Sequence, residues 1–198
     1  MVHRRPQPPH PPRLDDAAAA AATLEGALGE ARLVDADLPG ARIAGLRLTD
    51  VVVTRGNLAN LVAPEPQLRR VEIAGARLTG VQWTRGTIGD TVFRDCRIDL
   101  ATFAGTTFER TVFEGCLLAQ ADFREALLRS VRFEHCDLTE ADLHGLRIDG
   151  CELRSCTLDG VVALERLRGA AMPWADVVGN AALLATALGI RVLDDVQR

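Results

Sequence analysis

A period of five constrains this chain more than anything else in it. Stepping by five from Leu33 reaches Leu38, Ile43, Leu48, Val53, Leu58, Ala63, Leu68, Ile73, Leu78, Trp83, Ile88 and Phe93. The series runs on through Ile98, Phe103, Phe108, Phe113, Leu118, Phe123, Leu128, Phe133, Leu138, Leu143, Ile148, Leu153 and Leu158. Of these 26 positions, 25 carry Leu, Ile, Val, Phe or Trp, and Ala63 alone departs. Two residues before each lies a second column that is Ala, Cys, Val, Thr or Gly at 22 of 26 positions, the exceptions being Leu46, Leu61, Pro66 and Leu146. Five fits neither the helical period of 3.6 nor the strand period of 2. It fits a chain that turns a corner every five residues and points one large and one small residue inward on each side. The Asp, Arg, Thr and Gly residues between them then face water or form the corner, where Asp and Gly suit turn geometry.

Pentads such as A-D-F-R-E at Ala121 to Glu125 and A-D-L-H-G at Ala141 to Gly145 resemble the pentapeptide-repeat family, whose consensus is A-(D/N)-L-x-x. The resemblance covers about Ala31 to Gly160. It implies an all-β solenoid, a right-handed quadrilateral β-helix with four pentads to a coil. At about 4.8 Å per coil, six to seven coils make a rod about 31 Å long. Residues 20 apart then stack: Phe93, Phe113 and Phe133 fall in one column, and Trp83, Phe103 and Phe123 in another. Such a tube explains why a chain with 47% apolar residues has only 4% aromatics, since stacked aliphatic side chains fill a narrow interior. Around Ala59 to Gln67 (ANLVAPEPQ), Ala63, Pro64 and Pro66 predict a bent face or a short protruding loop.

Four segments follow. Residues 1–13 hold six of the nine prolines and read as a disordered tail. Arg4 and Arg5 lack the apolar stretch that an export signal needs. Residues 14–30 begin with Asp15, Asp16 and six alanines, which predicts a short helix covering the first coil. Residues 31–163 form the β-helix. In 164–198 the pentad fades. Pro173 opens a helix there, on which Trp174, Val177, Val178, Ala181, Leu184 and Leu188 recur at helical spacing; a short strand at Ile190, Val192 and Leu193 follows. This terminal element reads either as a cap over the open end or as a twofold contact between copies. No apolar run is long enough for a membrane-spanning helix.

Cys96, Cys116, Cys136, Cys151 and Cys156 all fall in the small inward column, four of them spaced by 20. A straight stack does not converge sulfurs around zinc, and no C-x-x-C pair exists, so the reading is buried, reduced thiols in a cytoplasmic protein. His135, His144, Ser130 and Ser155 occupy outward or corner positions without a partner for nucleophilic chemistry. No catalytic residue, cofactor or metal is expected. A filled tube leaves function to its walls and ends.

Between Ala31 and Ala163 the walls carry 16 Arg and 19 acidic residues, with no Lys, a net of −3. Asp122, Glu125, Glu140 and Asp142 lie on one side of two neighbouring coils and mark an acidic interaction face, although Arg124 interrupts them. The favoured function is a non-catalytic scaffold for a protein partner. The alternative comes from the resemblance. One branch of the family, quinolone-resistance proteins of bacteria, binds type II DNA topoisomerase (gyrase) as dimeric DNA mimics, and this chain is similar in length and in its C-terminal apolar helix. Its weaker acidic character departs from that branch, because duplex DNA carries one negative charge per about 1.7 Å. The walls bear almost no aromatics, so base stacking is excluded and direct nucleic-acid binding is not expected.

Overall fold

A computed structural model describes residues 27–191 and 193. The eight-residue strands β1 (Ala27–Val34), β2 (Arg47–Thr54) and β3 (Gln67–Ala74) pair in parallel at an offset of twenty residues, so that Leu28, Leu48 and Leu68 are in register. The same offset continues through β4 (Thr87–Gly89), β5 (Val92–Arg94), β6 (Thr107–Glu109), β7 (Val112–Glu114), β8 (Leu127–Glu134) and β9 (Arg147–Arg154). Parallel bridges repeat it on the two remaining walls, from Asp37↔Asn57 to Asp137↔Thr157 and from Arg42↔Val62 to Asp142↔Val162. The result is a four-sided parallel β-solenoid of between six and seven coils, in which each eight-residue strand bends across one corner.

The corners explain the period. Every fifth residue from Glu30 to Gly160 has positive φ, eighteen of them with a side chain and nine of them glycine. The left-handed conformation costs a side-chain-bearing residue on the order of 1 kcal/mol, and more when the residue is β-branched. Accordingly none of these positions is Val, Ile or Thr. The penalty is offset within each pentad by the burial of its large central residue, about 1.5–3 kcal/mol. The phase breaks at Ala163, which takes positive φ two residues early and opens a 3-10 helix at Leu164–Leu167.

Backbone donors follow the same register. The second residue after the corner donates across coils, as Asn57 N does to Ala36 O at 2.7 Å and Val62 N to Ala41 O at 2.8 Å. Where the turn closes locally, the N–H three residues after a pentad centre bonds that centre's carbonyl, as Ala121 N does to Leu118 O. Other corners lack this local bond, and at six of them a side chain from the next coil supplies a donor. Cys96, Cys116, Cys136 and Cys156 direct Sγ to the carbonyls of Ile73, Phe93, Phe113 and Phe133, while Thr111 Oγ1 donates to Ile88 O at 3.0 Å. Four of the thiols are therefore weak structural donors as well as small apolar groups.

All six phenylalanines are buried. The rings of Phe93, Phe113 and Phe133 stack at 4.8 and 5.0 Å with interplanar angles of 6° and 4°. Phe103 and Phe123 form the second column, with Trp83 meeting Phe103 edge-on at 6.4 Å. The single departure from the pentad has a partner here. Ala63 N bonds Gln82 O, so Ala63 lies one coil below Trp83, and its small side chain leaves the indole room in a column that otherwise carries one large residue per coil. Both residues are fully buried, and Trp83 Nε1 has no hydrogen-bond partner.

The structure corrects four expectations. Strand begins at Ala27, so residues 27–30 belong to the first coil and not to a helix; the tail and the rest of the expected N-terminal helix lie outside the described residues. The stretch 59–67 does not protrude. Glu65 N bonds Thr84 O and Gln67 N bonds Leu46 O, both at 2.8 Å, because Pro64 occupies a slot whose N–H makes no inter-coil bond and Pro66 removes only a local turn bond. The ring of Pro66 is accommodated by Gly86 in the next coil, where a Cβ would meet it at 2.4 Å. The C-terminal helix is two helices, α1 (Trp174–Gly179) and α2 (Ala181–Ala187), divided at Asn180. No strand forms at Ile190, Arg191 or Leu193, since Ile190 N instead bonds Ala185 O and closes the end of α2.

Corner charges stack into ladders. Arg70 binds Asp50 through two nitrogens at 2.5 and 2.6 Å, and two coils further along the same column Arg110 binds Asp90 at 2.6 and 2.9 Å. Hydrogen bonding from Arg110, against the opposing effect of burial, holds the Asp90 carboxyl below its ordinary value of 3.8.

Two predictions follow from this packing. Ala63→Leu crowds the indole and costs about 1–3 kcal/mol in urea unfolding, whereas Trp83→Leu in the same chain recovers most of that loss. Equal losses in the single and double variants would refute the pairing. A carboxyl lowered on folding stabilises above its unfolded pKa and loses that contribution as pH falls through the folded one. Asp90→Asn therefore lowers stability by about 1 kcal/mol near neutrality, and the gap from wild type closes as pH drops below 3.8.

Candidate interaction surfaces

The interior of the tube is filled by the stacked large and small columns. Its apolar gap lies beneath the last coil, where phenylalanines give way to Leu143, Leu146, Leu153 and Leu158, and Leu167 closes it from the 3-10 helix. Among the described residues no group of three or more His, Cys, Asp or Glu side chains is placed to hold a metal ion. The five cysteines are free and buried. Burial pushes the Cys151 thiol up to about 12, and Cys116, hydrogen-bonded to Cys136 and Cys96 within the stack, is raised as well. All five thiols lie inside the tube wall, shielded from solvent. His135, Ser130 and Ser155 sit at corners, and His144 lies on an outer wall, 63% exposed, with Nδ1 2.8 Å from Asp142.

The four predicted acidic residues divide by position. Asp122 and Asp142 are in register on one wall, each just before a pentad centre, and their carboxylates accept the otherwise unpartnered N–H groups of Arg124 and His144 at 2.9 and 3.0 Å. This capping is what the Asp of the consensus does. Both carboxylates are also compensated: Arg124 reaches Asp122 at 2.8 Å and Asp142 at 3.8 Å. Burial raises the Asp142 carboxyl, yet the hydrogen bonds from His144 and the nearby Arg124 charge outweigh it, and the group is held below its ordinary value. Glu125 and Glu140 stand at the two corners bounding this wall, and Glu140 accepts from Gln120 Nε2 at 2.6 Å. The structure thus brings the four together as a rim of two glutamates around two internally paired aspartates.

The C-terminal element closes the last coil. Ala171 adds a final bridge beside β9, accepting from Leu153 N at 3.0 Å and donating to Cys151 O at 2.9 Å, and Asp176 Oδ2 accepts from Ser155 N at 2.6 Å. These contacts satisfy backbone groups that a further coil would otherwise take. Leu183, Leu184 and Ala187 of α2 pack against the core. Of the residues expected on a cap or dimer face, Leu184 turns inward and Val177 is half-buried, while Trp174 (79% exposed), Val178, Ala181 and Leu188 face solvent. Ile190 and Leu193 add to this exposed apolar surface. The sequence reading did not separate the two roles, because a helix broken at Asn180 presents two faces where one continuous helix presents a single stripe. Among the described residues no helix is long and apolar enough to cross a membrane.

With this geometry in place, the chain can be set beside known proteins. Residues 65–143 and 87–162 match the family model of the pentapeptide repeat region. No curated protein sequence matches the chain. Among solved structures, HetL, a pentapeptide repeat protein involved in heterocyst differentiation regulation in the cyanobacterium Nostoc sp., is similar at 17% identity. That match covers 76% of this chain and 90% of HetL, with a TM-score of 0.43. QnrB1, a plasmid-mediated fluoroquinolone resistance protein, is 15% identical over 83% of this chain and all of its own, with a TM-score of 0.38. A pentapeptide repeat protein of the Arabidopsis thaliana thylakoid lumen is 17% identical over 55% of this chain and 66% of its own, with a TM-score of 0.30.

Proposed function

This chain belongs to the pentapeptide-repeat family, and we propose that it is a non-catalytic interaction scaffold for a protein partner. The observation that carries this reading is the division of labour at the C-terminal end. Leu183, Leu184 and Ala187 already cover the core, so capping has no use for Trp174, Val178, Leu188, Ile190 and Leu193, each of which is exposed. Large apolar residues left exposed beyond the needs of folding suit protein contacts, and Trp is among the residues enriched at their hot spots. A second copy of the chain and a different protein are both suitable occupants of this face.

A second reading is the modulation of type II topoisomerase. It draws support from the carboxylates of Glu125, Asp122, Asp142 and Glu140, which run along one wall and its corners. The bidentate hold of Arg124 on Asp122 weakens it, because paired charges project little field.

The scaffold reading predicts that immobilised wild-type chain captures a defined partner from its native cell, and that Trp174→Ala loses it with the fold intact by circular dichroism. Undiminished capture by the variant removes the C-terminal face as the contact. Light scattering distinguishes the two occupants: a mass twice the 21.4 kDa of the chain, falling by half in Trp174→Ala, places a second copy there. For the second reading, purified gyrase titrated with the protein loses supercoiling activity or gains protection from quinolone. Neither effect at micromolar protein refutes it.

A further inference from the structure

The charges of the solenoid are not spread evenly over its four walls. Consider the wall built from β4, β6 and the first three residues of β2, β3, β8 and β9. It presents two outward columns, one of Arg47, Gln67, Thr87, Thr107, Leu127 and Arg147, the other of Thr49, Arg69, Gly89, Glu109, Arg129 and Asp149. Arg47, Arg69, Arg129 and Arg147 are exposed, and none has a carboxylate within ion-pair distance, whereas nine other solenoid arginines do. Of the two acidic groups on this wall, Glu109 is held by Arg110 at 2.8 Å, and Asp149 is exposed in register with Arg129, so four arginines stand against two carboxylates. The wall directly across the tube has the opposite balance, with Asp37, Asp99, Asp137 and Asp159 against Arg77 and Arg97. A chain of net charge −4 therefore carries one cationic side.

We propose that this wall is a docking surface for an acidic protein segment. The inference rests on the scaffold reading and adds to it the chemistry of a partner and a site distinct from the C-terminal face. The spacing specifies the segment further. The arginines form two pairs at either end of a neutral, low-relief middle of Thr87, Gly89 and Thr107. With about 4.8 Å between coils, the midpoints of the pairs lie about 19 Å apart along the rod. A helix of about 13 residues with carboxylates at both ends spans that distance. Nucleic acid fits less well. Its evenly spaced phosphates would pass Glu109 and the Asp90 corner at mid-wall, and no aromatic side chain is present for a base to stack on.

The test uses the full chain and a fluorescein-labelled helical peptide with glutamates clustered at its two ends. Its controls are a peptide of the same composition with the glutamates in the middle, and a DNA duplex of about 20 base pairs. By fluorescence anisotropy at low salt, the split peptide binds more tightly than the central one. Arg47→Gln with Arg69→Gln, and Arg129→Gln with Arg147→Gln, each weaken it by about fivefold or more, and the four together abolish binding. Arg77→Gln with Arg97→Gln on the opposite wall leaves it unchanged, and thermal melts show that every variant is folded. The proposal falls if the opposite-wall variant weakens binding equally, if neither peptide binds, or if the duplex binds more tightly than the peptides and is released by the fourfold variant, which reassigns the wall to nucleic acid. None of these outcomes touches the scaffold reading, which fails only if no partner is captured from the native cell.

Discussion

Everything in this molecule depends on the chain turning through a left-handed residue every five positions. A parallel strand pair has no short connection, so parallel sheets normally need long crossovers. Here the crossover is the coil itself, and its repeated corners bring residue i beneath residue i+20 with the backbone hydrogen bonds running along the rod. The corners are unfavourable in isolation, and only the burial of a large side chain in each pentad makes them tolerable. Period, corner and core are thus one constraint, and a change in any of them has to be compensated in the neighbouring coil. Ala63 beneath Trp83 and Gly86 above Pro66 are two such compensations.

That constraint also decides which polar residues are available for function. An Asp before a pentad centre caps a backbone N–H that no other coil reaches, as Asp122, Asp137 and Asp142 do. Such carboxylates read as a charged surface in the sequence, yet in the structure they are largely spoken for by their own backbone and by a neighbouring Arg or Thr. Thr106, Thr111 and four of the five cysteines in the small column likewise donate to a carbonyl in the previous coil, which ties them to closing the corner. What stays uncommitted is the side chain whose partner is missing, whether a bare arginine or an exposed indole.

The fold was legible because a period carried by 26 pentads leaves little freedom, and the stacking of Phe93, Phe113 and Phe133 could be read from spacing alone. Less legible were features that depend on which direction a backbone group points. The prolines at 64 and 66 look like breakers until it is known that their slots contribute no inter-coil donor. The corner residue itself left a signal in the absence of Val, Ile and Thr at every fifth position, a pattern that the inward columns overshadowed. The division of the C-terminal helix at Asn180, and with it the separation of inward Leu184 from outward Trp174, had no periodic signal to announce it. The wall of four arginines was hidden for another reason: its members alternate between two columns and lie at the two ends of the rod, so a count of net charge averages them away.

A solenoid whose core is fixed by every fifth residue leaves its outward positions nearly independent of those on other walls, because each contacts only near neighbours in its own coil and in the coils above and below. Walls can then differ in charge without disturbing the fold, which is how a chain of net charge −4 can keep four unpaired arginines on one side. The ends do not share this freedom. The last coil must satisfy its open edge, and Ala171, Asp176 and α2 do so with particular backbone and side-chain contacts. Any apolar residue beyond that need is surplus to folding. The exposed Trp174 is such a residue, and since burying an indole is among the larger single gains open to a protein surface, the proposed association at the end of the rod rests on it.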